Sequence, residues 1–112
     1  MNKIYLIFLF PFLGFIVDVE CNSIFSYKPI KSQRSNAYSL ALSLNEGIAD
    51  NYEFELYDLT TGDFVEKRSL YFRSGMEKEV FSGIKPSTYV IYFSTSQCNQ
   101  RKSIPGKGII LQ

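Results

Sequence analysis

The sequence predicts an all-β chain, folded as a small two-layer antiparallel β-sandwich behind an N-terminal apolar segment. Three observations carry this expectation. Runs such as Tyr38–Leu44 and Glu53–Leu56 alternate apolar with polar or small residues, the period of a strand with one face buried. Turn-forming clusters of Gly, Pro, Asn, Asp and Ser recur between those runs. No window of eleven or more residues beyond residue 23 keeps a helical period, so almost no helix is expected.

The chain has 112 residues, with 12 Lys+Arg against 11 Asp+Glu, no His, no Trp and two Cys. That length allows one small domain. Without His, every catalytic triad or metal site that depends on imidazole is excluded. The near-neutral balance argues against nucleic acid as a partner.

Residues 1–23 read as an export signal. Lys3 precedes Ile4–Val17, 14 residues without a charge, which as a helix would cover about 21 Å where a bilayer core of about 30 Å needs roughly 20 residues. A polar stretch with small residues at Cys21 and Ser23 follows, as at a cleavage site. An uncleaved anchor or a buried core segment are the competing readings. Where the cut falls decides the fate of Cys21 and Cys98. A cut after Cys21 or Ser23 leaves Cys98 alone, the favoured outcome. A cut near Val19 retains both thiols and permits a Cys21–Cys98 bridge, worth on the order of 4 kcal/mol in an oxidising compartment. Acylation of Cys21 is a third fate, disfavoured by Asp18 and Glu20 where a lipobox has aliphatic and small residues. A membrane is therefore expected to be involved only through an uncleaved or lipidated N-terminus.

From Ile24 to Gln112 the chain has 89 residues, 11 basic and 9 acidic. Residues 24–37, with Pro29 among Lys28, Lys31 and Arg34, read as a linker or the lead-in to an edge strand; the sandwich domain is placed at 38–112. Tyr38–Leu44 is the first clear strand. In the next, Phe54 and Leu56 should face inward, and Thr60-Thr61-Gly62-Asp63 then turns the chain, Gly62 supplying a positive φ. Phe64–Phe72 returns, its patch Glu66–Ser69 marking a bulge or an exposed edge. After Ser74-Gly75-Met76 comes Glu77–Phe81. Gly83–Ser87 then forms a loop before the strongest strand, Thr88–Ser94, which should be central because apolar residues occupy both its faces. Ile104 and Ile109–Leu111 end the chain as a strand. Six or seven such strands give the sandwich, of immunoglobulin-like or prealbumin-like type, with a small barrel as the alternative. Thirteen aromatic residues in this part supply enough burial for folding without a disulfide.

The series Phe54-Glu-Leu-Tyr-Asp58, Thr61-Gly62, Val80-Phe81 and Gly83-Ile84-Lys-Pro86-Ser-Thr-Tyr89-Val-Ile resembles a pattern of transthyretin-like β-sandwich modules. These include the collagen-adhesin B-type (Cna-B) repeats and the carboxypeptidase regulatory-like domains. The resemblance spans Phe54–Phe93. It implies that Phe81 and Ile84 plug one end of the core, Pro86 stiffens the turn and Tyr89 opens the next strand. Ser87 stands where the pattern has Gly. Some Cna-B modules form a Lys–Asn isopeptide bond assisted by a carboxylate four residues after the motif Tyr; here that position is Phe93, so the resemblance implies the fold without the crosslink.

Other candidate chemistry reads as structure. Asp58 and Asp63 could suggest a calcium loop, but their spacing matches no EF-hand, and capping of a hairpin turn accounts for them. The pairs Glu53/Glu55 and Glu77/Glu79 superficially suggest acid–base catalysis; as alternating residues they fit a solvated face. Lys85, Arg101, Lys102 and Lys107 read as an exposed basic rim. No cofactor, metal or catalytic residue is assigned. The expectation is a secreted, periplasmic or cell-surface module that binds an unidentified protein or surface and is not an enzyme. The alternative is an assembly subunit that pairs through an edge strand such as Ile109–Leu111.

Overall fold

The structure, a computed structural model, describes residues 22–112. Apart from Asn22 and Ser23, the segment read as an export signal lies outside the described residues, Cys21 included.

Seven strands run β1 (Ile24–Lys31), β2 (Tyr38–Glu46), β3 (Asp50–Asp58), β4 (Phe64–Phe72), β5 (Glu77–Ile84), β6 (Ser87–Thr95) and β7 (Cys98–Leu111). They form two antiparallel sheets, β1-β2-β5 and β4-β3-β6-β7, packed as a sandwich. Among the described residues there is no helix. Strands one, two and five oppose three, six and seven, the partition of immunoglobulin-type sandwiches; the fourth pairs beside the third.

Strand β3 shows how the pattern becomes a layer. Tyr52, Phe54, Leu56 and Asp58 point inward and are at most 3% exposed, while Asn51, Glu53, Glu55 and Tyr57 point outward. Leu40, Leu42 and Leu44 of β2 face them from the other sheet, fully buried. β6 lies between β3 and β7 and is central; Tyr89, Val90, Ile91 and Phe93 are all buried along it.

The segment Ile24–Lys31 is an edge strand paired with β2 along its whole length, so the folded domain reaches back at least to Ile24. Pro29 is tolerated there because an edge strand needs its N–H on one side only. Phe25 is the residue that ties β1 to the core. Its ring meets Tyr52, Phe54, Phe72 and Phe93 at centroid distances of 5.1, 5.4, 5.3 and 4.9 Å, each edge to face.

β5 carries two irregularities. Leu40 pairs with Phe81 and Ala41 with Glu79, so Val80 is an extra residue, and a second shift lies between Phe81 and Ile84. Gly83 takes φ +67° there, a left-handed backbone that a side chain would strain. The bulge lets the adjacent residues Val80 and Phe81 both be buried. The polar patch Glu66–Ser69 on β4 is an exposed edge paired in regular register with β3, and the bulge lies just before it at Val65, where the register shifts between Leu56 and Tyr57.

The open flank between β4 and β5 is closed reciprocally by two cations. Arg68 of β4 donates through Nη1 to the carbonyl of the bulged Val80 (2.9 Å), and Lys78 of β5 donates through Nζ to the carbonyl of Tyr71 (2.5 Å). Lys78 also sits 5.4 Å from the Phe72 ring centroid.

If Phe25 joins the sheets as its ring contacts indicate, Phe25→Ala should cost about 2–4 kcal/mol. Urea unfolding should show a lower midpoint with an unchanged slope. A shift under about 0.5 kcal/mol would mean that β1 is peripheral.

Candidate functional site

The outward face of β4-β3-β6-β7 divides into two halves. At one end Leu59 and Phe64 are 50% and 52% exposed, beside Tyr57, Val90 and Tyr92. Tyr57 meets Phe64 at 5.5 Å and Tyr92 at 5.6 Å between ring centroids, both edge to face. Ile110, 63% exposed, stands opposite Thr88 on the neighbouring strand pair. Gly108 lets these strands sit close, for a Cβ there would lie 2.6 Å from Cγ2 of Thr88 and 3.2 Å from Cδ1 of Leu59.

Arg101 reaches across this face from β7. Its guanidinium lies 4.0 Å from the Tyr92 ring centroid and 5.6 Å from that of Tyr57. Nη2 and Nε both donate to Oε1 of Glu55, at 2.6 and 3.1 Å, and Nη2 also donates to the Tyr57 hydroxyl at 3.3 Å. The hydrogen bonding of Arg101 to Glu55 is the main cause that raises the arginine's pKa further, so the charge is permanent. The result is an ordered Tyr–Arg–Tyr cluster beside a groove of about 320 Å³ that Tyr57, Leu59, Val90, Tyr92 and Arg101 line.

The other end of the same face is polar. Asn51, Glu53, Ser69, Ser94 and Ser96 line a groove of about 330 Å³. Glu53 stands between Ser69 and Ser94 in register and pairs with Lys67 at 3.2 Å. Glu53 and Glu55 are thus engaged with separate cations rather than with each other. Glu77 and Glu79 are exposed on β5, in the other sheet.

Asp58, Tyr89 and their neighbours close one end of the core. Asp58 is 3% exposed, and its Oδ1 accepts from Thr60 N (2.8 Å), Thr61 N (3.4 Å) and Ser87 Oγ (2.8 Å). Loss of hydration acts to raise the Asp58 pKa. The hydrogen bonds from Ser87, Thr60 and Thr61, with the charge of Lys85, outweigh it and hold the pKa below the ordinary Asp value. Asp58 also receives Gly62 N on its carbonyl (2.7 Å), where Gly62 takes φ +80°. Asp63 contributes through its main chain, its N–H donating to Thr61 Oγ1 and its carbonyl accepting from Asp58 N.

Tyr89, opposite Asp58 in register, donates its hydroxyl to the Lys85 carbonyl at 2.6 Å. A tyrosine at the start of the sixth strand, bonded back across the preceding corner, is the tyrosine corner of immunoglobulin-type sandwiches. Burial, then the Asp58 charge, pushes its pKa up. Phe81 and Ile84 are buried below it, and Pro86 lies in the two-residue connection from β5 to β6. Among the described residues no group of three His, Cys, Asp or Glu could hold a metal ion.

Sequence reasoning placed Arg101 in a loose basic rim. Its pairing with Glu55, 46 positions away, depends on the β3-β6-β7 register, which no local pattern shows. Lys85 acts on Asp58, which lines the same groove as Arg101, whereas Lys102 lines a groove with Asn22, Ser23 and Glu46, so Lys85 and Lys102 do not share one patch.

Because the folded Asp58 has a lowered pKa, its contribution is complete above the unfolded value of about 3.9 and is lost as pH falls through the lowered folded value. Asp58→Asn should therefore flatten the loss of stability below about pH 4, read as urea midpoints across an acid series. An unchanged acid profile would show that Asp58 is not the controlling group. Arg101→Ala, which removes a half-exposed ion pair, should change stability by under about 1 kcal/mol.

Comparison with protein-family models, with curated proteins and with solved structures gives no match for this chain.

Proposed function

We propose that this chain is an exported, non-catalytic β-sandwich module that binds a protein partner through the outward face of β4-β3-β6-β7. The Tyr57–Arg101–Tyr92 cluster carries the reading. Tyr and Arg are the side chains that dominate binding energy at protein interfaces, because they present large rigid area and directional donors at low entropic cost. Here Glu55 already holds the guanidinium in place, so little ordering remains to be paid on binding. At the other end of the same face Ser69, Ser94, Ser96 and Asn51 supply small adaptable polar groups, and beside the cluster Leu59 and Phe64 add exposed apolar area. Export is supported by the short apolar run Ile4–Val17 behind Lys3. The resemblance of Phe54–Phe93 to transthyretin-like modules supports the same class of non-catalytic, surface-displayed domain.

A second reading, assembly through the free edge of β7, is favoured by its edge position and by the exposure of Ile110.

The test uses photo-crosslinking residues placed at Phe64 or Ser103 on the proposed face and at Ser39 on the other sheet, in the exported protein. Discrete adducts with a partner from the first two positions and none from Ser39 are expected. Tyr57→Ala with Tyr92→Ala should then abolish the adducts, by at least about 30-fold for a central pair, while the thermal midpoint falls only slightly. Adducts of equal strength from Ser39 would overturn the face assignment. A further probe placed at Ile110 that gives adducts with a second copy of the chain, where Phe64 and Ser103 give none, would favour assembly through β7.

A further inference from the structure

We infer that the mature chain begins before Cys21 and is closed by a disulfide between Cys21 and Cys98. This deepens the export reading and rests on it.

Three observations converge at one end of the sandwich. First, Ser23 is part of the folded core. Its Oγ lies 2.6 Å from the hydroxyl of Tyr52, whose ring is fully buried. That hydroxyl donates its single proton to the Ile48 carbonyl at 2.7 Å, so the serine donates to the tyrosine. Gly47 makes room for it. A Cβ at Gly47 would lie 2.6 Å from Ser23 Oγ and 2.9 Å from Ser23 Cα, closer than side chains approach backbone. Two residues on, Phe25 packs against four rings. A cut after Ser23 would remove a residue the fold has shaped a place for.

Second, Cys98 is disulfide-bonded, and the sequence holds one other cysteine, Cys21. A cut after Cys21 would take the partner away.

Third, Asn22 and Ser23, the residues that follow Cys21 in sequence, belong to the same end of the molecule as Cys98. Thr95 is paired with Tyr52 on one side and with Cys98 on the other, so Cys98 lies two strands from the ring that Ser23 contacts. Asn22, next in sequence to Cys21, lines a groove together with Lys102 of β7.

The bridge requires an oxidant, and a disulfide-donating oxidoreductase of the export compartment supplies it. One cysteine thiolate attacks the donor's disulfide to form a mixed disulfide. The second thiolate displaces the donor's sulfur, forming the Cys21–Cys98 bond and releasing the donor as a dithiol. Two electrons and two protons pass from the chain to the donor. Because the Cys21 sulfur is consumed, it cannot also carry a thioether-linked lipid, so the bridge and lipid anchoring exclude each other.

The experiment is intact mass and N-terminal sequencing of the protein exported from a host with an oxidising secretory compartment, with thiols alkylated before or after reduction. We expect an N-terminus between Asp18 and Cys21, no alkylation before reduction, two alkylations after it, and no acyl mass. Reduction should lower the thermal midpoint by roughly 15 °C or more. A mature N-terminus at Asn22 or beyond, an acylated Cys21, or Cys98 alkylated without reduction would overturn the bridge while leaving export standing. A chain that still begins at Met1 and stays inside the cell would overturn export itself, and the processing site with it. Cys98→Ser separates the roles further: it should leave the N-terminus unchanged and expose a single alkylatable thiol.

Discussion

The aromatic cluster around Phe25 is the constraint on which the rest of this sandwich depends. A domain of about 90 residues has little interior, and its two sheets must be joined by few side chains. Phe25 comes from β1 in the smaller sheet; Tyr52, Phe54, Phe72 and Phe93 come from β3, β4 and β6 in the larger. One ring thus touches three strands of the opposite sheet, with edge-to-face geometry at four contacts. Such pairs add about 0.5–1.5 kcal/mol each beyond area burial. The position of β1, and with it the register of β2, follows from where that ring is held.

The same cluster explains why the two ends of the sandwich differ in chemistry. At the Tyr52 end the buried ring carries a hydroxyl that must be satisfied, and Ile48 and Ser23 satisfy it. At the other end β3 runs one inward position too far for an apolar residue and places Asp58 there instead. Its carboxylate is closed in by Ser87 and two turn amides, while Tyr89 bonds across the adjacent corner. Both ends are therefore held by a buried tyrosine whose hydroxyl binds a backbone carbonyl four residues before it. This leaves the broad outward face of the larger sheet without a structural task for its exposed apolar groups.

Local pattern made most of the layers legible. Alternation marks β2 and β3 because each buries one face completely, and the run Tyr89–Phe93 marks a central strand because apolar residues occupy both its faces. β1 was legible only as one of two alternatives. Its residues are mostly exposed, and Pro29 masks the pattern, so its strand state is set by pairing with β2 rather than by its own composition. The bulge at Val80 was hidden for a related reason, since two consecutive buried residues carry no period. The Tyr57–Arg101–Tyr92 cluster was illegible altogether: it joins residues from β3, β7 and β6, and only the sheet register brings them within contact.

The strand edges bear on how such a module could bind. Four edges bound the two sheets: β1, β5, β4 and β7. On the flank between β4 and β5, Arg68 and Lys78 each occupy a carbonyl of the other sheet's edge, so a strand added there would first have to displace a charged donor. β1 presents Pro29, which lacks an N–H, between Lys28 and Lys31. β7 breaks its own ladder, pairing Ile104 with Ile91 and Ile109 with Tyr89, so that three extra residues separate its two paired stretches. Each edge thus carries a feature that opposes long strand addition, whereas the outward face of β4-β3-β6-β7 carries exposed aromatic rings and a guanidinium already ordered by its neighbours. Recognition through side chains on that face is the mode this distribution of obstacles and exposed groups favours over recognition through backbone pairing.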